Sequence, residues 1–283
     1  MTSHDIVSVV RRRLSFKKVG HTGTLDPNAA GVLPICIGQA TKVSQFLLDS
    51  KKKYRGELTL GIETDTQDSY GSIISQKEVK VTEADIRRAF NASTGEIFQV
   101  PPMYSALKVN GQKLYDLARE GIEVERRPRP VTVDSLDILH IRNNKILFDI
   151  TCSKGTYVRT ICKDIGDALG TGGMMSFLLR TATGSFDLTT AITLDELQHA
   201  EDPTALLMPL DYALKHMKRV EVIQRAEKYA LNGNSLFLEQ IVFNDKINIG
   251  ESVRVYIQDE IIGIAEITAD DNTQMLKFSR LFI

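Results

Sequence analysis

The sequence has almost no net charge and no long apolar run. Its 283 residues include 35 Lys or Arg and 36 Asp or Glu, leaving −1. No stretch of about 18 apolar residues exists to cross a bilayer as a helix. The opening MTSHDIVSVVRRRL lacks the basic segment followed by an apolar core that marks a secretory signal. Three cysteines, Cys36, Cys152 and Cys162, have no CxxC spacing and read as reduced, buried thiols of a cytoplasmic protein. The five histidines, His4, His21, His140, His199 and His216, are scattered, and none pairs with another His or Cys at ligand spacing, so no metal is expected. GHTGT has neither the Walker pattern nor a full GxGxxG, and no nucleophile elbow supports a Ser/His/Asp triad.

What is present is an ordinary globular composition, 42% hydrophobic and 25% charged, long enough for one large domain or a large and a small one. The charge is unevenly spread. Residues 1–55 carry ten basic and three acidic side chains, and residues 219–283 seven basic and ten acidic. A basic segment beside a site can hold a polyanion locally, or it can be solvated surface.

Thr2 or Ser3 can cap a helix to about residue 14 with Ile6, Val9 and Val10 on one face. An apolar strand follows near 32–38 and another at 53–62. TEADIRRAF, 82–90, reads as a helix opened by a Thr82–Asp85 capping pattern. Residues 119–131, REGIEVERRPRPV, read as an exposed excursion. KILFDITC, 145–152, alternates with Ile146, Phe148, Ile150 and Cys152 on one face. Val158, Ile161, Cys162, Ile165 and Leu169 then recur at helical spacing, so Gly155 to Arg159 is a strand-to-helix turn. Beyond about 209 the pattern becomes short strands, a meander with turns at Asp259-Glu260 and Asp270-Asp271-Asn272.

One loop stands out: VGHTGTLDPNAAGVLP, residues 19–34, holds a lone acid, Asp26, before Pro27. Asp26 reads as a turn residue or cap, or as a nucleophile whose direction Pro27 and the glycines fix. Nucleophilic work needs a cation to keep the carboxylate ionised, and Arg159 is the candidate; otherwise Arg159 is a surface helix arginine. Tyr54, set among Lys51, Lys52, Lys53 and Arg55, suits stacking on a base or packing at a sheet edge.

KKVGHTGTLDPNAAGVLPICIGQATKVSQFL resembles the catalytic motif of the TruB family of tRNA pseudouridine synthases. KKYRGELTLGIETDTQDSYG, VPPMYSALKVNGQKLYDLAREGIEVERRPRPV, CSKGTYVRTICKDIGDALG and FLLRTATGSF resemble the later motifs in the same order. The resemblance covers about residues 1–215. It implies an α+β catalytic domain at 1–215, with a mixed, mainly antiparallel sheet and an RNA-gripping insertion at about 102–130. A small β-rich, PUA-like RNA-binding domain follows at 216–283. The implied activity is isomerisation of uridine 55 in the T arm of tRNA to pseudouridine by a stand-alone monomer. DNA is not a substrate, and no membrane, metal or cofactor is needed, since nothing is oxidised and no group is imported.

By the same resemblance Asp26 attacks at C1′, takes the 2′ proton or adds at C6, and His21 helps hold the T loop with its target flipped out. Tyr54 stacks on the flipped base and assists proton removal at C5. Arg159 pairs with Asp26, Tyr157, Leu178 and Arg180 fall at pocket or RNA-contact positions, and Asp68 is a further acid of the pattern. Family members usually begin with a strand and a lysine–proline motif ahead of the MTSHD segment, so the expectation is a chain lacking that strand. A tRNA-folding chaperone with weak or lost catalysis, and a guide-dependent synthase needing protein partners, are the rival readings.

Overall fold

The computed structural model describes residues 1–270 and 273–282, the side chain of Asp270 excepted. It divides into two compact units, Leu25–Val32 with Asp49–Thr189, and Met1–Thr24 with Leu33–Leu48 and Thr190–Ile283. The expected mixed α+β architecture with mainly antiparallel sheets is what forms.

The first of these units is built on a seven-stranded sheet. Its order is Phe186–Asp187, Gly173–Thr183, Lys52–Leu60, Lys145–Cys152, Arg129–Arg142 and Gly95–Gln99, antiparallel throughout, with Ala30–Gly31 added in parallel beside Gly173–Thr183. Period-2 alternation sets the buried face. Ile146, Phe148, Ile150 and Cys152 are buried as expected, joined by Leu58 and Leu60 of the neighbouring strand. Helices Glu83–Ala92 and Val158–Ala168 supply Ile86, Phe90, Val158, Ile161, Cys162 and Ile165 to the same core. Each fully buried side chain of this size is worth about 1.5–3 kcal/mol. Phe148 packs edge-on to Phe90 with ring centroids 5.7 Å apart. Gly56 makes room for it: a Cβ there would lie 2.6 Å from the Phe148 ring.

The Thr82–Asp85 capping box forms as the sequence predicts. The exposed excursion is shorter than expected, because Arg129 already begins the long strand Arg129–Arg142. The insertion before it carries an unpredicted hairpin, Lys108–Val109 with Gln112–Lys113. It turns at Asn110 and Gly111, whose positive φ values of 51° and 86° suit those residue types.

In the other unit, helix Ser3–Leu14 is capped by Thr2 in a box with Asp5. Val7, Val10 and Leu14 are its buried apolar residues; Ile6, partly buried, packs with Val19, Ile35 and Ile37 against the cluster of Val10, Leu14 and Leu197, and Val9 is half-buried. The same unit holds a six-stranded sheet ordered Leu236–Phe237, Thr273–Leu281, Glu260–Asp270, Ser252–Ile257, Lys218–Val222 and Ile241–Val242. The predicted meander is there, with one unpredicted parallel pairing between Lys218–Val222 and Ser252–Ile257. Its first turn sits at Gln258-Asp259, one residue earlier than expected, both with positive φ. In the second predicted turn, Asp270-Asp271-Asn272, Asp271 and Asn272 lie outside the described residues. Cys36, Cys152 and Cys162 are free thiols and buried. Among the described residues no helix is long and apolar enough to cross a membrane.

Candidate active site

Asp26 lies in the short segment Leu25–Val32. The Ala29 N–H donates to the Asp26 carbonyl at 2.9 Å, closing a turn over Pro27 and Asn28. The segment then joins the sheet: Ala30 and Gly31 pair with Leu179 and Arg180, and the Val32 N–H donates to the Arg180 carbonyl at 2.8 Å. Gly31 has a φ of +113°, and a Cβ there would lie 2.1 Å from the Arg180 carbonyl oxygen. Only glycine lets the segment approach that closely.

Arg159 sits near the start of helix Val158–Ala168, where a cation opposes the helix dipole. Carboxylates compensate. Its Nε is 2.9 Å from Asp26 Oδ2 and its Nη2 donates to Asp26 Oδ1 at 3.2 Å, a two-pronged grip. Nη1 is 3.7 Å from Asp68 Oδ2. The remaining donors go to the backbone carbonyls of Thr66, at 3.0 Å, and Tyr104, at 2.9 Å. The Arg159 side chain is 5% exposed and that of Asp26 38%. So the arginine is fixed from behind while the carboxylate keeps an open side.

The open side does not make Asp26 an ordinary acid. Crowding by protein raises its pKa most, the Arg159 charge lowers it, and the Asp68 charge raises it again; the net direction is upward. The arginine therefore offsets the desolvation of Asp26 without cancelling it. Asp68 is itself held in a turn, its Oδ1 accepting from Thr66 Oγ1 at 2.7 Å and from the Tyr70 N–H at 3.0 Å. That turn is stitched to the sheet by Met175 N–H to the Gln67 carbonyl, 3.0 Å, and Ser69 N–H to the Met175 carbonyl, 3.1 Å.

Tyr54 and Arg180 face each other across neighbouring strands. Arg180 is 1% exposed, donates from Nε to the Val32 carbonyl at 2.7 Å, and hydrogen-bonds the Tyr54 hydroxyl. Burial pushes the Tyr54 phenol up, and Arg180 offsets only part of that, so the net direction is upward. Leu178, two residues before Arg180 and so on the same face of the strand, is buried in the core against which Tyr54 packs. Tyr157 precedes the helix, and its backbone is clamped by the Gln99 side chain, which accepts from the Tyr157 N–H at 2.7 Å and donates to its carbonyl at 3.1 Å. Burial raises the Tyr157 phenol too, with the Ser105 hydroxyl opposing.

The structure thus brings Asp26, Asp68 and Arg159 into direct contact and joins Tyr54 to Arg180. His21 belongs to the other unit, on strand Val19–His21, where it pairs with Ile35. Gln99 and the carbonyls of Thr66 and Tyr104 were not anticipated, since a carbonyl acceptor has no residue-type signature. Lys52 was read as part of a basic run, yet it is buried, with Nζ donating to the Ser50 carbonyl at 2.6 Å. Strand alternation from Tyr54 would have turned it inward. Among the described residues no group of three or more His, Cys, Asp or Glu is placed to hold a metal.

Two family models match: the TruB family pseudouridylate synthase N-terminal domain over residues 11–158, and the tRNA pseudouridylate synthase B C-terminal domain over 159–215. A tRNA pseudouridine synthase B from Alkaliphilus oremlandii is 55% identical, the match covering 99% of this chain and 94% of that protein. Its namesake from Clostridioides difficile is 48% identical, over 100% and 96%. Among solved structures, an H/ACA RNP bound to a substrate RNA containing 2'-deoxyuridine matches with a TM-score of 0.77 at 26% identity, covering 100% of this chain and 82% of that one. A Cbf5-Nop10-Gar1 complex matches with the same TM-score at 27% identity and the same coverage.

Proposed function

The chain belongs to the TruB family of pseudouridylate synthases, and from that premise we propose that it converts uridine 55 in the T loop of tRNA to pseudouridine, acting alone. Pseudouridine formation in tRNA is the activity of the family; the position, the residue roles and the monomeric, cytoplasmic state are our reading. The observation that carries it is the grip of Arg159 on an Asp26 carboxylate that is partly open and more basic than usual.

The target uridine is flipped out of its stack at a cost of a few kcal/mol, and stacking on Tyr54 returns about 1–3 kcal/mol. Asp26 acts on the ribose, at C1′ or through the 2′ proton, and the N1–C1′ bond breaks. Arg159 keeps the carboxylate aimed, and His21 helps hold the loop. The freed uracil turns, C5 bonds to C1′, and the C5 proton is removed with Tyr54 assisting. Bonds broken and formed balance within one nucleotide, so no cofactor is required. Residues 1–215 form the catalytic part and 216–283 a PUA-like RNA-binding part. The insertion at 102–130 grips the T arm; in it the Lys113 Nζ and the Arg119 guanidinium lie 5.1 and 5.5 Å from the Tyr115 ring centre.

The test is to incubate the chain with an unmodified tRNA transcript and map pseudouridine at single-nucleotide resolution. Signal at uridine 55 is expected to fall at least about 10³-fold in Asp26→Asn, with tRNA affinity kept. Undiminished signal in the variant, or modification at another uridine, overturns the reading. Unmodified tRNA that binds and refolds but never reacts with either protein would place the chain among tRNA-folding chaperones.

A further inference from the structure

Arg180 is the most buried cation of the larger unit. Its backbone pairs with Gly31, its carbonyl accepts from Val32, and its Nε donates to the Val32 carbonyl at 2.7 Å. The same guanidinium reaches the Tyr54 hydroxyl. One residue therefore ties the segment that carries Asp26 to the phenol on the adjoining strand. At 1% exposure it is not placed for a phosphate contact.

Resting on the reading above, we propose that Arg180 is a positioning residue for the last chemical step: it fixes the Tyr54 oxygen relative to the Asp26 segment and stabilises that oxygen as a phenolate while it removes the C5 proton. A neutral phenol is a poor proton acceptor. In a buried setting its ionised form is tolerated only beside a cation that donates to it. After C5 has bonded to C1′, the C5 proton passes to the Tyr54 phenolate and the C–H electron pair restores the C5=C6 bond. The electrons of the C6=N1 bond move to N1, which takes a proton from water. The phenol then returns its proton to the hydroxide left behind. Lys52, buried on the same strand face two residues earlier and facing Thr183 across the strands, adds positive charge to this end of the sheet.

The test compares single-turnover rates on tRNA carrying hydrogen or deuterium at C5 of its uridines, for the wild type, Arg180→Lys, Arg180→Met, Tyr54→Phe and Asp26→Asn. Arg180→Met is expected to slow product formation about 100-fold, to raise the hydrogen-to-deuterium rate ratio above the wild-type value, and to leave tRNA affinity within about twofold. Arg180→Lys, which keeps the charge, should recover part of the rate with a smaller rise in the ratio. A loss of rate with the wild-type ratio in both variants overturns the proposal and leaves Arg180 a structural residue. Should Arg180→Met fail to fold, by circular dichroism, the ratio for Arg180→Lys decides alone. The underlying reading fails separately, through full activity in Asp26→Asn, or through wild-type rate and ratio in Tyr54→Phe.

Discussion

The two sheets of this protein bury different things. The C-terminal sheet closes over Val220, Val222, Leu236, Val253, Val255, Ala265, Ile267 and Leu276, and Tyr256 is the most polar side chain among those described as buried on its strands. The seven-stranded sheet has an equally apolar core, but its unit also buries Lys52, Gln99, Arg159 and Arg180. Desolvating a charge costs several kcal/mol, and partners return that only when the geometry is good. A unit that needed only to fold would place aliphatic residues at these positions. The polar interior of the larger unit gathers near Asp26 and Tyr54, the residues to which the proposed function gives the chemistry, whereas the C-terminal sheet buries no charged side chain among its described residues.

The largest effect should come from breaking the polar interior. Arg159→Met leaves the Asp26 carboxylate and the carbonyls of Thr66 and Tyr104 without their donor. We expect about 3–5 kcal/mol less stability in urea denaturation, together with loss of pseudouridine formation. The matching cut in the apolar interior is Leu276→Ala, fully buried between Leu236 and Ile267 on neighbouring strands. It should cost about 2–5 kcal/mol of local stability, yet leave the single-turnover rate on saturating tRNA unchanged. Equal loss of chemistry in the two variants would erase the distinction between the sheets.

The sequence made the apolar interior easy to read and the polar one hard. Alternation at 145–152 and the Thr82–Asp85 box are local signals, set by neighbours within a few residues. The hairpin at Asn110-Gly111 had such a signal as well, an Asn-Gly pair between short strands. The Asp26–Arg159 pair spans 133 residues. Charge logic and the motif resemblance suggested that partner, but not the net upward direction of the Asp26 pKa, which depends on Asp68 and on crowding by groups distant in sequence. Arg180 fell at a pocket or RNA-contact position by resemblance. Its burial follows from a parallel pairing of only two residues, Ala30–Gly31, too short to leave a pattern.

A gentler change separates charge from packing within the polar site. Asp68→Asn keeps the shape of the turn and removes one of the influences that raise Asp26. In the proposed mechanism Asp26 reacts ionised, so the rate is expected to rise with pH through the Asp26 pKa, which is raised from the ordinary carboxylate value. Without the Asp68 charge that pKa falls, and the acid limb of the single-turnover rate should move to lower pH. Movement to higher pH would mean that Asp68 chiefly orients Arg159, so that its loss weakens the grip on Asp26.

The smallest effect should come from cutting charge where the C-terminal sheet carries it, at the surface. Arg219 bridges Glu221 and Asp259 and lies over the Tyr256 ring, 4.1 Å from its centre, but its side chain is 45% exposed. Its partners raise its pKa, yet water and salt screen interactions at that exposure, so the shift is not a measure of stability. Arg219→Met retains much of the contact with the ring and should change stability by no more than about 1 kcal/mol. Added salt should shrink the difference further, whereas the deficit of Arg159→Met, screened by protein, should persist. If the two arginine variants lost stability equally at high salt, burial would not be what distinguishes the charges of the two sheets, and the polar interior around Asp26 would have no special claim to being the reaction centre.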